Sequence, residues 1–299
     1  MKRVFLVGID GGGTKTQVRI EDEDGQLIGQ AKGGPGNIRS SVSQSWDSIH
    51  QAMNQVLSDI NTTFDDMDNT FHVAMGMAGV EVGSARQDFL SVPHPNFKTR
   101  LLVSDAHIAC LGAHGGKPGM IIIIGTGVNG YQIEGDQVHQ VAGWGFPHSD
   151  EGGGAWLGME AIRLTLQFID GRIKGTPLLE GIVKHFSGDI PRFVTWVNQA
   201  SPAGFGEIAP LIVQFAEQGD QHAVSLLKAA AHEIDKVADA LLAKQVQVEP
   251  LPCVLLGGVS RFITPYLSEA IKARLTERCA GPTEGALWML RQHLESTER

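Results

Sequence analysis

The sequence predicts an α/β protein of two related domains, each built on a mixed sheet, and three observations carry that expectation. A buried-looking strand twice runs into a Gly/Thr-rich turn and then a short hairpin, first around residue 10 and again around residue 125. Helical apolar stripes follow each repeat and fill most of the chain after residue 150. The length, 299 residues, suits two domains better than one.

Residues 4–10 read as a short apolar strand entering Gly11-Gly12-Gly13-Thr14. Residues 16–21 then alternate, and Asp24-Gly25 signals a hairpin before residues 26–31. Residues 41–60 carry Val42, Trp46, Ile49, Met53, Val56, Leu57 and Ile60 at helical spacing. Strands are expected at 71–78 and 101–104, with a helix over 106–113. The most apolar run, 120–124, reads as a central strand that enters Gly125-Thr126-Gly127, and a second hairpin is expected over 131–141. Helices are expected over 155–168, 207–218, 223–243 and 284–294, and one more strand over 253–256 meets Gly257-Gly258. The expected domains are residues 1–115, completed by the C-terminal helix 284–299, and residues 116–283.

Composition narrows the function classes. With 42% hydrophobic and 19% charged residues the chain is an ordinary globular protein. A net charge of −9 argues against a nucleic-acid partner, which a basic face would attract. Residues 120–124 are far too short to span a bilayer, so no membrane partner is expected. The basic start Met1-Lys2-Arg3 precedes apolar residues that break at Gly8 and Asp10 without a secretory h-region, and a cytoplasmic protein is expected. Cys110, Cys253 and Cys279 are scattered, forming neither a disulfide framework nor a metal knuckle.

Three phosphate-loop readings compete for the glycines. A P-loop fails, because Thr14 stands at the lysine position and an antiparallel strand follows where a helix is needed. A dinucleotide fingerprint formally matches Gly125-Thr126-Gly127-Val128-Asn129-Gly130, but the alternating Tyr131-Gln132-Ile133-Glu134 starts no helix to hold a pyrophosphate. The third reading treats both glycine turns as one device, two hairpins that grip a phosphate chain with backbone N–H groups and threonine hydroxyls.

That arrangement resembles the actin–hexokinase–Hsp70 superfamily. Asp10 to Thr16 looks like its first phosphate motif, Gly125-Thr126-Gly127 its second, and Leu255-Leu256-Gly257-Gly258-Val259 its adenosine motif. Within it, Asn37, Ser104-Asp105-Ala106, Gly125 to Asn129 and Gly143-Trp144-Gly145-Phe146-Pro147-His148-Ser149-Asp150-Glu151-Gly152 resemble the N-acetylglucosamine kinase branch, grouped with the BadF/BadG-type ATPases. The implied fold is a pair of actin-like (ribonuclease H-like) domains with a nucleotide cleft between them. The implied activity is transfer of phosphate from ATP to the 6-hydroxyl of an amino sugar, N-acetylglucosamine first and glucosamine next. A nucleotide-dependent switch without sugar phosphorylation is the competing class. The activase relatives hold an iron–sulfur cluster with paired cysteines and another branch has a cysteine-rich zinc loop; neither pattern occurs here, so no cluster or zinc is expected.

Such chemistry needs neutralised phosphates, an aligned hydroxyl and a base. Asp105, at the end of a strand, is the candidate base; its alternative role is N-cap of the helix starting at Ala106. Asp10 is the candidate Mg²⁺ residue, acting through water. By the resemblance, Gly11, Gly12, Gly13, Thr14, Gly125, Thr126, Gly127, Gly257 and Gly258 take ATP, while Asn37, Asp105, Asn129, Trp144 and Asp150 take the sugar. Val128 departs from the serine common at that place, which lies near the substrate, and residues 278–283 leave little room for the usual last strand. Relatives commonly pair as homodimers, and the resemblance carries that expectation.

Overall fold

The computed structural model of the chain describes residues 3–81 and 83–297. The opening Met1-Lys2 and the last two positions of the expected C-terminal helix lie outside the described residues. The chain divides into two compact units, residues 1–119 with 277–299, and residues 120–276.

The first unit contains β1 (Arg3–Gly11), β2 (Thr16–Asp22), β3 (Leu27–Gly33), α1 (Val42–Ser58), β4 (Asn69–Met77), α2 (Gly83–Ser91), β5 (Phe97–Val103) and α3 (Asp105–His114). Among the described residues its sheet runs β3-β2-β1-β4-β5. β1 and β2 pair antiparallel, while β1, β4 and β5 are parallel, so the sheet is mixed. Period-two alternation sorts the side chains of β1. Phe5, Val7 and Ile9 pack in the core that holds Trp46, Ile49, Met53 and Leu57 of α1. Leu6 joins Ala74, Ile108, Leu287 and Leu290, the last two from the C-terminal helix. That helix packs so closely that a Cβ on Gly8 would lie 2.2 Å from the Thr283 carbonyl oxygen.

The second unit contains β6 (Gly119–Ile124), β7 (Val128–Glu134), β8 (Gln137–Ala142), α4 (Gly154–Ile169), α5 (Pro177–His185), α6 (Ile190–Gln199), α7 (Pro202–Gly206), α8 (Ala209–Glu217), α9 (Gln221–Leu242), β9 (Cys253–Leu256), α10 (Ser260–Ile263) and α11 (Glu269–Lys272). The chain then returns to the first unit as α12 (Pro282–Thr297). The second sheet runs β8-β7-β6-β9, with β7 and β8 antiparallel and β6 and β9 parallel. Met120, Ile122 and Ile124 of β6 sit in the core with Leu157 of α4 and Ile234 of α9. Each unit is thus an α/β layer structure of the actin-like type, with a strand, a glycine turn and an antiparallel return at its start.

Helices α2, α5, α6, α7, α10 and α11 lie outside the stripes expected from the sequence. The missing last strand is reduced to one residue: Leu275 forms an isolated parallel bridge with Cys253, held by Cys253 N–H to the Arg274 carbonyl and Thr276 N–H to the Cys253 carbonyl, both at 2.9 Å. Among the described residues no helix is long and apolar enough to cross a membrane.

Candidate functional site

Two carboxylates converge in the first unit. Asp10 stands near the end of β1, and the register Asp10–Gly76–Val103 runs across β4 to β5, whose chain turns at Ser104 into Asp105. Gly76 makes the approach feasible: a Cβ there would lie 2.3 Å from the Ile108 side chain and 3.0 Å from the Ser104 carbonyl. Burial first, and then the Asp105 charge, push the Asp10 carboxyl up to about 6. Gln17 Nε2 donates to Asp10 Oδ2 at 3.3 Å and, with the Lys15 charge, opposes that rise. Burial also raises the Asp105 carboxyl, against hydrogen bonds from the Ala106 amide and its own.

Asp105 does not cap α3. Ser104 does, its Oγ accepting from His107 N–H at 3.2 Å, and Asp105 is the first residue of the helix. The capping role weighed for Asp105 therefore belongs to its neighbour, whose short hydroxyl reaches the third helical amide.

The glycine turn is a tight hairpin. Gly12 N–H donates to the Lys15 carbonyl at 3.0 Å, and Gly11 pairs with Thr16 in the antiparallel ladder. Gly13 and Thr14 are exposed at its tip, whereas Thr16 is buried with its hydroxyl unpartnered. The segment bearing Asn37 lies against this hairpin, since Gly36 N–H donates to the Gly12 carbonyl at 2.9 Å. Asn37 Oδ1 accepts from Arg39 N–H at 3.0 Å and Ser40 N–H at 3.3 Å, which fixes the turn ahead of α1.

The second unit holds the remaining candidates. Gly125 and Thr126 turn their carbonyls to the first amides of α4, from Gly154 at 2.8 Å and Ala155 at 2.9 Å, leaving the Thr126 side chain exposed. Val128 is only 2% exposed, and its side chain packs in the core. Asn129 Oδ1 is buried without a partner, an acceptor awaiting a donor. Trp144 is 88% exposed, between Gly143 and Gly145, both at positive φ. Asp150 also has positive φ, and its Oδ1 accepts from Val128 N–H at 3.3 Å. Burial raises its carboxyl, which hydrogen bonds from the Val128 and Phe146 amides oppose. Gly257 sits at φ 94°, where a Cβ would lie 2.3 Å from the Ile124 carbonyl.

Unused space marks the glycines that the fold itself does not require. Among described glycines without positive φ, those where a Cβ would meet no atom within 4 Å are Gly13, Gly83, Gly125 and Gly258. Three of these four fall one in each of the glycine motifs. A backbone bare where the protein places nothing suits a closely approaching ligand. Gly76 and Gln17 escaped the sequence reading, the first because its reason is a packing distance, the second because only the hairpin register pairs it with Asp10.

A cation fits Asp10. Its carboxylate is crowded by Asp105 and receives one long hydrogen bond from Gln17, so positive charge would relieve it. Among the described residues no cluster of three or more His, Cys, Asp or Glu forms a direct metal cage. A Mg²⁺ ion that keeps most of its waters needs none.

The sequence profile of the BadF/BadG/BcrA/BcrD ATPase family matches residues 7–287. A glucosamine kinase of Vibrio cholerae serotype O1 is 35% identical over 283 residues, covering 95% of this chain and 94% of the relative. An N-acetylmuramic acid/N-acetylglucosamine kinase of Clostridium acetobutylicum is 29% identical over 279 residues, covering 89% and 88%. The crystal structure of a Chromobacterium violaceum protein, provisionally assigned as an N-acetylglucosamine kinase, superposes with TM-score 0.85 at 31% identity, covering 96% of this chain and 99% of the other.

Proposed function

The chain belongs to the BadF/BadG/BcrA/BcrD ATPase family, and from that premise we propose that it is an ATP-dependent kinase phosphorylating the 6-hydroxyl of an amino sugar, N-acetylglucosamine or glucosamine. The observation that carries the reading is the convergence of Asp10 and Asp105 at the carboxyl ends of parallel strands, beside an exposed glycine hairpin.

In this reading Asp105 orients the sugar hydroxyl and accepts its proton as the oxygen attacks the γ-phosphorus. A carboxyl raised by burial is a better proton acceptor than one in water. Asp10 would hold Mg²⁺ through water, and the ion would supply charge neutralisation on the phosphates. Gln17 keeps the Asp10 carboxylate oriented. The turns Gly11–Gly12–Gly13–Thr14 and Gly125–Thr126–Gly127 offer amides and hydroxyls to the phosphates, and Gly257–Gly258 lines the adenosine. Asn37, Asn129 and Asp150 serve the sugar's polar groups, the unpartnered Asn129 Oδ1 accepting from a hydroxyl or an N–H. Trp144 covers a ring face. The use of ATP and a free amino sugar suits a cytoplasmic protein, and homodimer formation, part of the same proposal, is measured by light scattering.

A coupled ADP-release assay tests the reading across N-acetylglucosamine, glucosamine, N-acetylmannosamine, N-acetylmuramate and glucose. ADP release that depends on one of the amino sugars is expected. ATP turnover indifferent to every sugar would replace the kinase with a nucleotide-driven switch.

A further inference from the structure

In both units the segment that carries sugar candidates is tied to the neighbouring phosphate turn. In the first, Gly36 N–H donates to the Gly12 carbonyl at 2.9 Å, Ile38 N–H to the Ala78 carbonyl at 3.1 Å, and Ala78 N–H to the Gly11 carbonyl at 2.8 Å. Asn37 therefore sits between two backbone bonds that both lead back to the glycine hairpin. The two backbones touch: a Cβ on Gly36 would lie 2.7 Å from Gly11 Cα and 2.5 Å from Thr16 Oγ1.

In the second unit a carboxylate makes the joint. Asp150 belongs to the segment with Trp144, yet its Oδ1 accepts from Val128 N–H at 3.3 Å and a Cβ on Gly127 would lie 2.5 Å from its Oδ2. The same carboxylate accepts from the Phe146 amide, so it spans both loops. Asp150 holds positive φ, an unusual conformation for a residue other than glycine, and the joint needs it there.

We propose that Gly36 and Asp150 couple the two substrates, by making each sugar-facing segment and its phosphate turn a single piece that either ligand orders. The inference rests on the amino-sugar kinase reading. A sugar that contacts Asn37, or one that contacts Asn129 or Asp150, settles a segment whose other side is the phosphate turn of the same unit, so ATP then meets that turn already ordered. The coupling is reciprocal, ATP tightening sugar binding by the same factor. Gly36 and Asp150 are positioning residues in this role, acting on ATP through the turns they hold.

The test is calorimetric titration of the full chain with a Mg²⁺-bound, non-hydrolysable ATP analogue, alone and at saturating amino sugar. The sugar is whichever of glucosamine and N-acetylglucosamine supports ADP release. Wild-type protein should bind the analogue at least ~5-fold more tightly with sugar, within the range typical of coupled sites. Asp150→Asn tolerates positive φ but keeps only one acceptor oxygen, and Gly36→Ala wedges the hairpin from its neighbour. In each folded variant the ratio should collapse toward one, a change that general loss of stability does not produce. A wild-type ratio of one, or an undiminished ratio in Asp150→Asn, overturns the coupling even if ADP release is normal. Absence of ADP release with every sugar instead overturns the kinase reading, and the coupling with it.

Discussion

Asp105 lies close enough to Asp10 for its charge to raise the Asp10 carboxyl, although Asp10 stands near the end of β1 and Asp105 follows β5, with β4 between those strands. The pairing divides the labour between two carboxylates. Asp10, crowded and short of donors, suits a hydrated cation, and Asp105, buried at a helix start, suits a proton in transit.

Acid should therefore compete with the metal. The Asp10 carboxyl titrates at about 6, so it is protonated below that pH and charged above it. The Mg²⁺ concentration for half-maximal activity is expected to rise by about tenfold per pH unit below 6 and to level off above it. Asp10→Asn should raise it by ~10–100-fold at pH 7.5 and flatten that pH dependence. Initial rates over a Mg²⁺ series at several pH values measure both; an unchanged Mg²⁺ requirement in Asp10→Asn would remove Asp10 from metal binding.

Glycines of the two kinds should respond oppositely. Gly13→Ala and Gly125→Ala meet no protein atom, so the fold should be as stable as before or gain up to ~1 kcal/mol from a stiffer unfolded chain. Their KM for ATP should nevertheless rise roughly tenfold or more, the equivalent of ~1.4 kcal/mol of binding. Gly76→Ala drives a methyl to 2.3 Å from Ile108 and should destabilise by ~1–3 kcal/mol. Thermal melts and ATP titrations separate the two classes. A fully stable Gly76→Ala with normal activity would contradict the close approach that brings Asp105 toward Asp10.

Acid should also loosen the first unit through an imidazole pair. His50 Nε2 and His94 Nε2 lie 3.0 Å apart, and His94 also bonds the Val92 carbonyl at 3.1 Å. Trp46 and Phe97 flank the His94 ring at 3.9 and 4.8 Å. Burial holds both imidazoles neutral, pushing His94 from 6.5 down to about 4 and lowering His50 as well. The unfolded chain then binds more protons than the folded one between those values. Stability is full above about pH 6.5 and falls as pH drops toward 4, by ~1–3 kcal/mol for His94 after allowance for solvent contact. Denaturant melts at pH 7 and pH 5 measure this, and His94→Gln should show a smaller difference between the two.

Much of the fold was legible because glycine and threonine are informative where they interrupt apolar strands. Gly11 to Thr14 and Gly125 to Gly127 announce a turn, and the alternating residues after each announce a return strand, not a helix. Ser104 and Asp105 were harder, since either side chain can cap a helix and only the hydrogen bond to His107 assigns the cap. Val128 stands where the resemblance has serine, and that its side chain packs in the core follows from strand parity, not from the residue type. Helices α5, α6 and α7 carried signals in Pro177, Pro191 and Pro202 at their first turns, behind Thr176, Asp189 and Ser201. Their apolar stripes were too short for the spacing alone to reveal.

The central claim, that Asp105 accepts the proton of the attacking hydroxyl, is tested most directly by the single-turnover rate of Asp105→Asn at saturating ATP, Mg²⁺ and sugar. Asparagine keeps the shape and the hydrogen bond but removes the base. Capping of α3 by Ser104 is untouched, so the variant should melt close to the wild type. General-base catalysis contributes ~10²–10⁴-fold, and the single-turnover rate should fall by about that factor while the Kd for the ATP analogue stays within about twofold. A rate within about threefold of wild type would contradict the account and transfer the search for a base to Asp150.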